Sequence, residues 1–431
     1  MPLNSLQKRD LEVNWHPYSQ HQTAPANMVI CRGKDALLFD EEEVAYIDAI
    51  ASWWCNPHGH ANPQIAHAVA DQLLQLEHVL FGGFTHPKAI ELSEKLLQHL
   101  PQNHKKIFYS DNGSTAVEVA LKMALQYFAN HGKKRTTFIA FENAFHGDTF
   151  AAMAVSGIGF FTEAFADLMI QVKRIPLPQD DNIEFVIEKL QSHLEEGDVA
   201  GFIFEPIVLG AAGMQIYNPK HLDQLIKICK KAGVLCIADE VMTGFGRTGT
   251  LFATDQLSQK PDMICLSKAL TGGFIPLAVT SCTQEIYNAF LSEKVEKAFF
   301  HGHTFMANPA GCAAALASLQ ITLSQQSQDA RRFIHQQQGA FAEKLSTNYK
   351  VRNVAVQGVI LRFELETSSN EYYGSLRNQL YDFFIAHQII LRPVGNIIYV
   401  LPPYCITAEQ LATVYQVIEK ALQHFGFAIS K

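Results

Sequence analysis

The chain has 431 residues, and at roughly 100 to 200 residues per domain it has room for two or three domains around a large buried core. Lys and Arg number 34 against 42 Asp and Glu, a formal charge of −8, which argues against nucleic acid or an anionic membrane as partner. Hydrophobic residues make up 48% and charged residues 18%, so the chain is not of the disordered class.

In chain order, the stretch from Met1 to Glu12 is polar and carries Lys8, Arg9 and Asp10, so it lacks the apolar run of a signal peptide. Apolar runs elsewhere break well short of a membrane span, as Glu205 does within 200–209. The N-terminal segment through His60 holds all three tryptophans, Trp15, Trp53 and Trp54, and fits no regular pattern. From about 105 to 280, short β-branched or aromatic runs at 105–110, 136–141, 199–205, 234–238, 263–267 and 277–281 alternate with helical spacing. This alternation predicts an α/β fold with a mostly parallel sheet and helices on both faces. Ligands in such a sheet sit beyond the carboxyl ends of the strands, so the residues just after each run are where chemistry is sought. The last third predicts strands at 358–364, 389–392 and 397–401 with helices at 374–387 and 407–425, a smaller α+β domain. A Gln-rich patch at 325–338 reads as a solvated helix surface. The expected division is a large domain at 61–310 and a small one built from 1–60 and 311–431. The eight cysteines form no Cys-x-x-Cys pair and read as reduced thiols of a cytoplasmic protein.

The run ending in Asp239 and the run ending in Lys268 are 29 residues apart, one strand–helix–strand unit, so both side chains can reach one crevice. Desolvation there lowers a lysine's pKa and frees an amine for Schiff-base chemistry, and an aspartate beside a pyridine nitrogen keeps that nitrogen protonated. A buried Asp–Lys ion pair accounts for the same two residues without any cofactor. Asp111-Asn-Gly-Ser-Thr115 follows the 105–110 run and opens a helix over 116–128, a plausible phosphate cup. Thr115 with Glu118 also fits a capping box that needs no ligand. Phe145, just beyond the 136–141 run, can stack on a planar ring or serve as an ordinary core residue. His58-Gly-His60 and His301-Gly-His303 lack a third ligand at regular spacing, so no metal is expected.

Phosphate cup, stacking aromatic, Asp-Glu-Val, Ser-Lys and the Gly-x-Thr at 302–304 stand in the order found in fold-type-I pyridoxal-phosphate enzymes, and the chain resembles their class III aminotransferases over nearly its whole length. The more specific stretches are Trp15-His-Pro-Tyr18, Trp53-Trp54, His78-Val-Leu-Phe-Gly-Gly-Phe-Thr-His86, 111–128, 240–249, 301–309 and Arg392-Pro-Val-Gly. The resemblance implies that Lys268 holds the aldehyde of pyridoxal 5'-phosphate, that Asp239 pairs with its ring nitrogen and that Val241 packs opposite Phe145. It implies a phosphate site of Gly113 and Ser114, completed by His303 and Thr304, with Thr304 supplied by the second subunit of a homodimer. Tyr18, Trp53, Trp54, Phe145, Lys268, Gly302 and Arg392 would line the substrate pocket, Arg392 matching a carboxylate through its bidentate fork. The implied activity is amination of the small-molecule keto acid 7-keto-8-aminopelargonate in biotin biosynthesis, with S-adenosylmethionine as donor and lysine as the competing donor. Rival readings are an ω-aminotransferase for ornithine, 4-aminobutyrate or a polyamine, and a cofactor-binding regulator without turnover. Phe145 stands where the adenosylmethionine-using enzymes usually have tyrosine, and Gly302-His303-Thr304 where they often have Gly-Pro-Thr.

Overall fold

In the computed structural model, which describes residues 5–157, 159–367 and 374–429, the strand–helix alternation forms a seven-stranded sheet. Its order is His104–Ser110, Ala278–Thr283, Met263–Leu266, Leu235–Asp239, Val199–Phe204, Thr137–Phe141 and Val172–Ile175. Ala278–Thr283 runs antiparallel to both of its neighbours, and all other pairs are parallel. The two reversals cancel, so His104–Ser110 points the same way as the central strands and delivers its carboxyl end to the same edge.

The central strands are buried on both faces, which is why they read as unbroken apolar runs. Alternate side chains enter different cores. Leu235 and Ile237 pack with Val117, Leu121 and Phe128 of the helix Gly113–Asn130. Cys236 and Ala238 face the opposite layer, with Leu92 and Leu96 of Pro87–His99, Leu190 of Ile183–Glu195 and Leu222 and Ile226 of Pro219–Lys231.

A second core lies around the antiparallel sheet of Val351–Gln357, Ile360–Leu365 and Ile397–Val400, packed with the helices Gln325–Asn348 and Ala408–His424. Two sequence expectations change here. The N-terminal segment is not irregular: Ile30–Lys34, Leu37–Asp40 and Ala45–Asp48 form an antiparallel meander, joined in parallel to Ile389–Ile390. Its strands are only four or five residues long, too short for an alternating pattern to reveal. The Gln-rich patch is solvated on one side only, because Ser327, Ile334 and Gln338 of its helix are buried against the second core. Residues Met1–Asn4 of the polar N-terminus lie outside the described residues. Among the described residues, no helix is long and apolar enough to cross a membrane, and no His, Cys, Asp and Glu cluster could hold a metal ion.

Candidate active site

The carboxyl ends of the parallel strands converge on a cavity of about 390 Å³. Lys268 enters it from the strand Met263–Leu266 through Ser267, whose hydroxyl donates to the Leu277 carbonyl at 2.9 Å. The lysine backbone adopts φ +43°, a conformation that residues with a Cβ rarely take. Such strain persists where the surroundings over-determine it, and here Ser318 Oγ anchors the next carbonyl, that of Ala269, at 3.0 Å. Burial lowers the Lys268 pKa, and the charges of Asp239 and Glu205 oppose that shift without cancelling it.

Asp239 ends the neighbouring strand and is nearly fully buried. Its carboxylate accepts from the Val241 amide at 3.0 Å and meets His146 Nδ1 at 2.7 Å. A carboxylate only accepts, so Nδ1 carries the proton and donates. His146 is itself buried, and its Nε2 has no hydrogen-bond partner among the described residues. Glu240, next in sequence, is fully buried but turned away from the cavity. It accepts from Thr243 Oγ1 and from the amides of Ala253 and Thr254 at 2.6 to 2.9 Å, which holds the following loop.

Asp111, Asn112, Gly113 and Ser114 line the cavity at the start of the 18-residue helix Gly113–Asn130. The capping box is displaced from the one the sequence suggested. Asn112 is the N-cap, its side chain accepts from the Thr115 amide, and Thr115 Oγ1 accepts in return from the Asn112 amide. Glu118 instead accepts from the amides of Ala151 and Ala152 at 2.7 and 3.2 Å, capping the helix Phe150–Val155. A Cβ on Gly113 would lie 2.7 Å from Val241 Cγ1, so only glycine lets the helix start and Val241 approach this closely. Phe145 and Val241 both line the cavity, and the Phe145 amide is fixed by donation to Glu205 Oε1 at 3.0 Å.

An adjoining cavity of about 410 Å³ shares Trp54, Cys55, Phe145, Asp148, Ala211 and Lys268 with the first. Tyr18, Trp53, Arg377, Arg392 and Tyr399 extend its lining. The Lys268 amine lies 4.6 Å from the centre of the Trp54 ring, and the Arg392 guanidinium 4.8 Å from that of Trp53. Tyr18 packs on Trp53 with ring centres 5.7 Å apart and donates its hydroxyl to Asp148. The two indoles thus lie between a lysine amine at one end and a guanidinium at the other.

Of the site residues read from sequence, Gly113, Ser114, Phe145, Asp239, Val241, Lys268, Tyr18, Trp53, Trp54 and Arg392 come together in these two cavities. Gly302, His303 and Thr304 line neither; Gly302 and Thr304 are exposed. Sequence reading assigned no role to His146, Asp148, Glu205 or Arg377. Glu205 directly follows the strand Val199–Phe204, so the strand-end rule applied there would have found it.

The group that fits this cavity is pyridoxal phosphate. It needs a desolvated amine, a carboxylate for a ring nitrogen, two apolar side chains to flank a ring and backbone amides for an anion, and each is present. A Gly113 that admits no Cβ against Val241 is the packing such a close-fitted site requires.

The fold and these residues define a pyridoxal-phosphate-dependent transaminase, and the chain belongs to the class-III aminotransferases, whose family model matches residues 18–422. It is similar to the adenosylmethionine-8-amino-7-oxononanoate aminotransferase of Synechococcus elongatus, with 42% identity over 95% of this chain and 98% of that protein. The enzyme of the same name from Helicobacter pylori is 34% identical over 94% of this chain and 95% of its own. The crystal structure of the Methanocaldococcus jannaschii adenosylmethionine-8-amino-7-oxononanoate aminotransferase superposes with a TM-score of 0.92 at 34% identity, covering 97% of this chain and 98% of that one. An amine transaminase from an uncultivated Pseudomonas species, solved in its PLP-bound form, gives 0.90 at 27% identity over 96% and 98%.

Proposed function

We propose that the chain transfers an amino group to 8-amino-7-oxononanoate, also called 7-keto-8-aminopelargonate, giving 7,8-diaminopelargonate for biotin biosynthesis. The observation that carries this reading is the indole wall between Lys268 and Arg392. A substrate with a ketone near one end, a carboxylate at the other and methylenes between matches an amine, a guanidinium and apolar rings in that order. A short diamine has little use for such a wall.

Bound pyridoxal phosphate supplies an aldehyde that carries nitrogen between the two substrates and a ring that withdraws electrons. The residues of the chain do the rest. The amides at the head of Gly113–Asn130 and the Ser114 hydroxyl bind the phosphate, while Phe145 and Val241 flank the ring. Asp239, held by the Val241 amide and His146, presents a fixed charge to the ring nitrogen. Lys268 Nζ, with its lowered pKa, takes a proton from the donor carbon and returns one to the acceptor carbon.

The active unit is a homodimer in which Thr304 completes the phosphate site of the other subunit, with Gly302 and His303 beside it in sequence. Support comes from the exposure of Gly302 and Thr304 and from the exposed apolar side chains of Leu80, Phe84, Phe300 and Phe305, in segments that meet where the rings of His78 and Phe305 lie 5.5 Å apart. A large unit at 61–310 and a small one of 1–60 with 311–431 agree with the pairing of Ile47 with Ile389. We place the enzyme in the cytoplasm, where the eight free cysteines stay reduced.

S-adenosylmethionine is the donor in this reading and lysine the alternative, because Phe145 and His303 differ from the usual adenosylmethionine pattern. Single-turnover mixing of the cofactor-loaded enzyme with each donor decides between them. Loss of the visible absorption with S-adenosylmethionine supports the assignment. Loss with lysine alone overturns it, and then Phe145→Tyr with His303→Pro is the double variant to test for a switch.

A further inference from the structure

The segment that carries both indoles is one of the most strained in the chain. Ala51 and Trp54 have φ of +50° and +64°, and Ser52 has φ +57° with ψ −99°. None is glycine, and a side chain in this region of backbone space persists only where neighbouring groups hold it. The group that holds it is Asp48.

Asp48 ends the strand Ala45–Asp48, donates its amide to the Ala36 carbonyl at 2.8 Å and pairs in parallel register with Ile390. Its side chain is fully buried. Oδ1 accepts from the Ile50 amide at 3.2 Å, and Oδ2 accepts from the Ser52 amide at 2.6 Å and the Ser52 hydroxyl at 3.3 Å. His60 Nε2 stands 2.8 Å from Oδ2 and must carry the proton of that contact. The His60 backbone is tied in turn to Asp35, at 2.7 and 3.1 Å, on the far side of the meander. One buried carboxylate therefore gathers both ends of the turn onto the sheet.

The two indoles depend on this turn unequally. Trp54 has anchors of its own: its Nε1 donates to Tyr399 at 3.2 Å, its carbonyl accepts from Arg247 Nη2 at 3.1 Å and its amide donates to Ile50 at 3.3 Å. Trp53 is nearly half exposed and is placed by ring contacts to Tyr18 and Arg392, so its position follows the backbone at Ser52.

We propose that Asp48 is a positioning residue for acceptor specificity, which acts by holding the Ser52–Trp53 backbone so that Trp53 meets Arg392 at the carboxylate end of the substrate wall. The proposal rests on the function proposed above. Asp48→Asn removes the charge and one acceptor oxygen at nearly constant volume, leaving Ser52 or His60 facing an amide donor. The keto-acid KM should rise about tenfold or more, while the donor half-reaction and the visible absorption of bound cofactor stay near normal, because Trp54 and Lys268 keep their own anchors.

The deciding measurement is a double-mutant cycle on acceptor KM with Trp53→Ala. If Asp48 acts through Trp53, the effect of Asp48→Asn disappears in the Trp53→Ala background. Additive effects, or equal damage to both half-reactions, overturn the proposal and leave the proposed function standing. A Trp53→Ala enzyme with unchanged acceptor KM overturns both. Should Asp48→Asn fail to fold, Ser52→Gly replaces it: glycine frees the strained position, and the same selective rise is expected, whereas a normal KM in Ser52→Gly overturns the proposal.

Discussion

At Lys268 two effects compete. Burial favours the neutral amine, the carboxylates of Asp239 and Glu205 favour the ammonium, and burial prevails. Lys268→Ala should therefore abolish covalent attachment of the cofactor, read as loss of its visible absorption; borohydride labelling of any other lysine would contradict the assignment. Asp239→Asn keeps the shape and the Val241 contact but removes the charge, so turnover should fall by at least about 10²-fold with cofactor still bound. Near-normal turnover in that variant would sink the role of Asp239.

Glu205 gives a prediction of a different kind. Burial pushes its carboxyl up to about 7 from 4.5 although the amides of Phe145 and Gly210 donate to it at 3.0 and 2.8 Å. A folded-state pKa raised above the unfolded value means stability that is present below about pH 4.5 and lost as pH rises through about 7. The stability difference between the native protein and Glu205→Gln should thus shift in favour of Gln across that window, as measured by urea unfolding at each pH. A difference that stays flat from pH 4.5 to 7 contradicts the raised value. Lys268 and Asp239 were legible in the sequence because a polar residue ending an apolar strand is conspicuous. Glu205 had the same signature but read first as a break in an apolar run, and His146 was hidden because its partner is 93 residues away.

At the scale of elements, the head of Gly113–Asn130 lines the cavity where the phosphate is proposed to bind. Gly113→Ala forces a Cβ to 2.7 Å from Val241 Cγ1, and such overpacking costs about 1 to 3 kcal/mol. Cofactor affinity should fall by about tenfold, measured by titration of the apoenzyme, and an unchanged affinity would show that Val241 yields freely. Arg392→Ala should raise acceptor KM through loss of a charge-assisted contact of about 2 to 4 kcal/mol, with the donor half-reaction less affected. The helix itself is legible from its apolar spacing, but that spacing begins at Ala116, three residues after the helix starts at Gly113. That shift turned Thr115 from the third helical position into a cap and gave it Glu118 as partner, whereas Glu118 caps a helix that sequence spacing could not bring near. The antiparallel direction of Ala278–Thr283 was likewise invisible, because a buried strand shows the same apolar run in either direction.

For the molecule as a whole, the alternation of strand and helix implies where ligands sit independently of any single site residue, since parallel strands end at one edge. The N-terminal meander was not legible, because its strands gain their meaning from pairing with Ile389–Ile390, close to the other end of the chain. That pairing brings the indole wall to Lys268 and Arg392, so the cavity proposed for the acceptor is lined from both the N-terminal segment and the C-terminal part of the chain. The acceptor half-reaction tests this most directly. Enzyme first loaded with amino group is mixed with 8-amino-7-oxononanoate, and the visible absorption and the product are followed over one turnover. The account predicts return of the absorption with formation of 7,8-diaminopelargonate. No return with this acceptor, in enzyme that converts 4-aminobutyrate or ornithine, would contradict it.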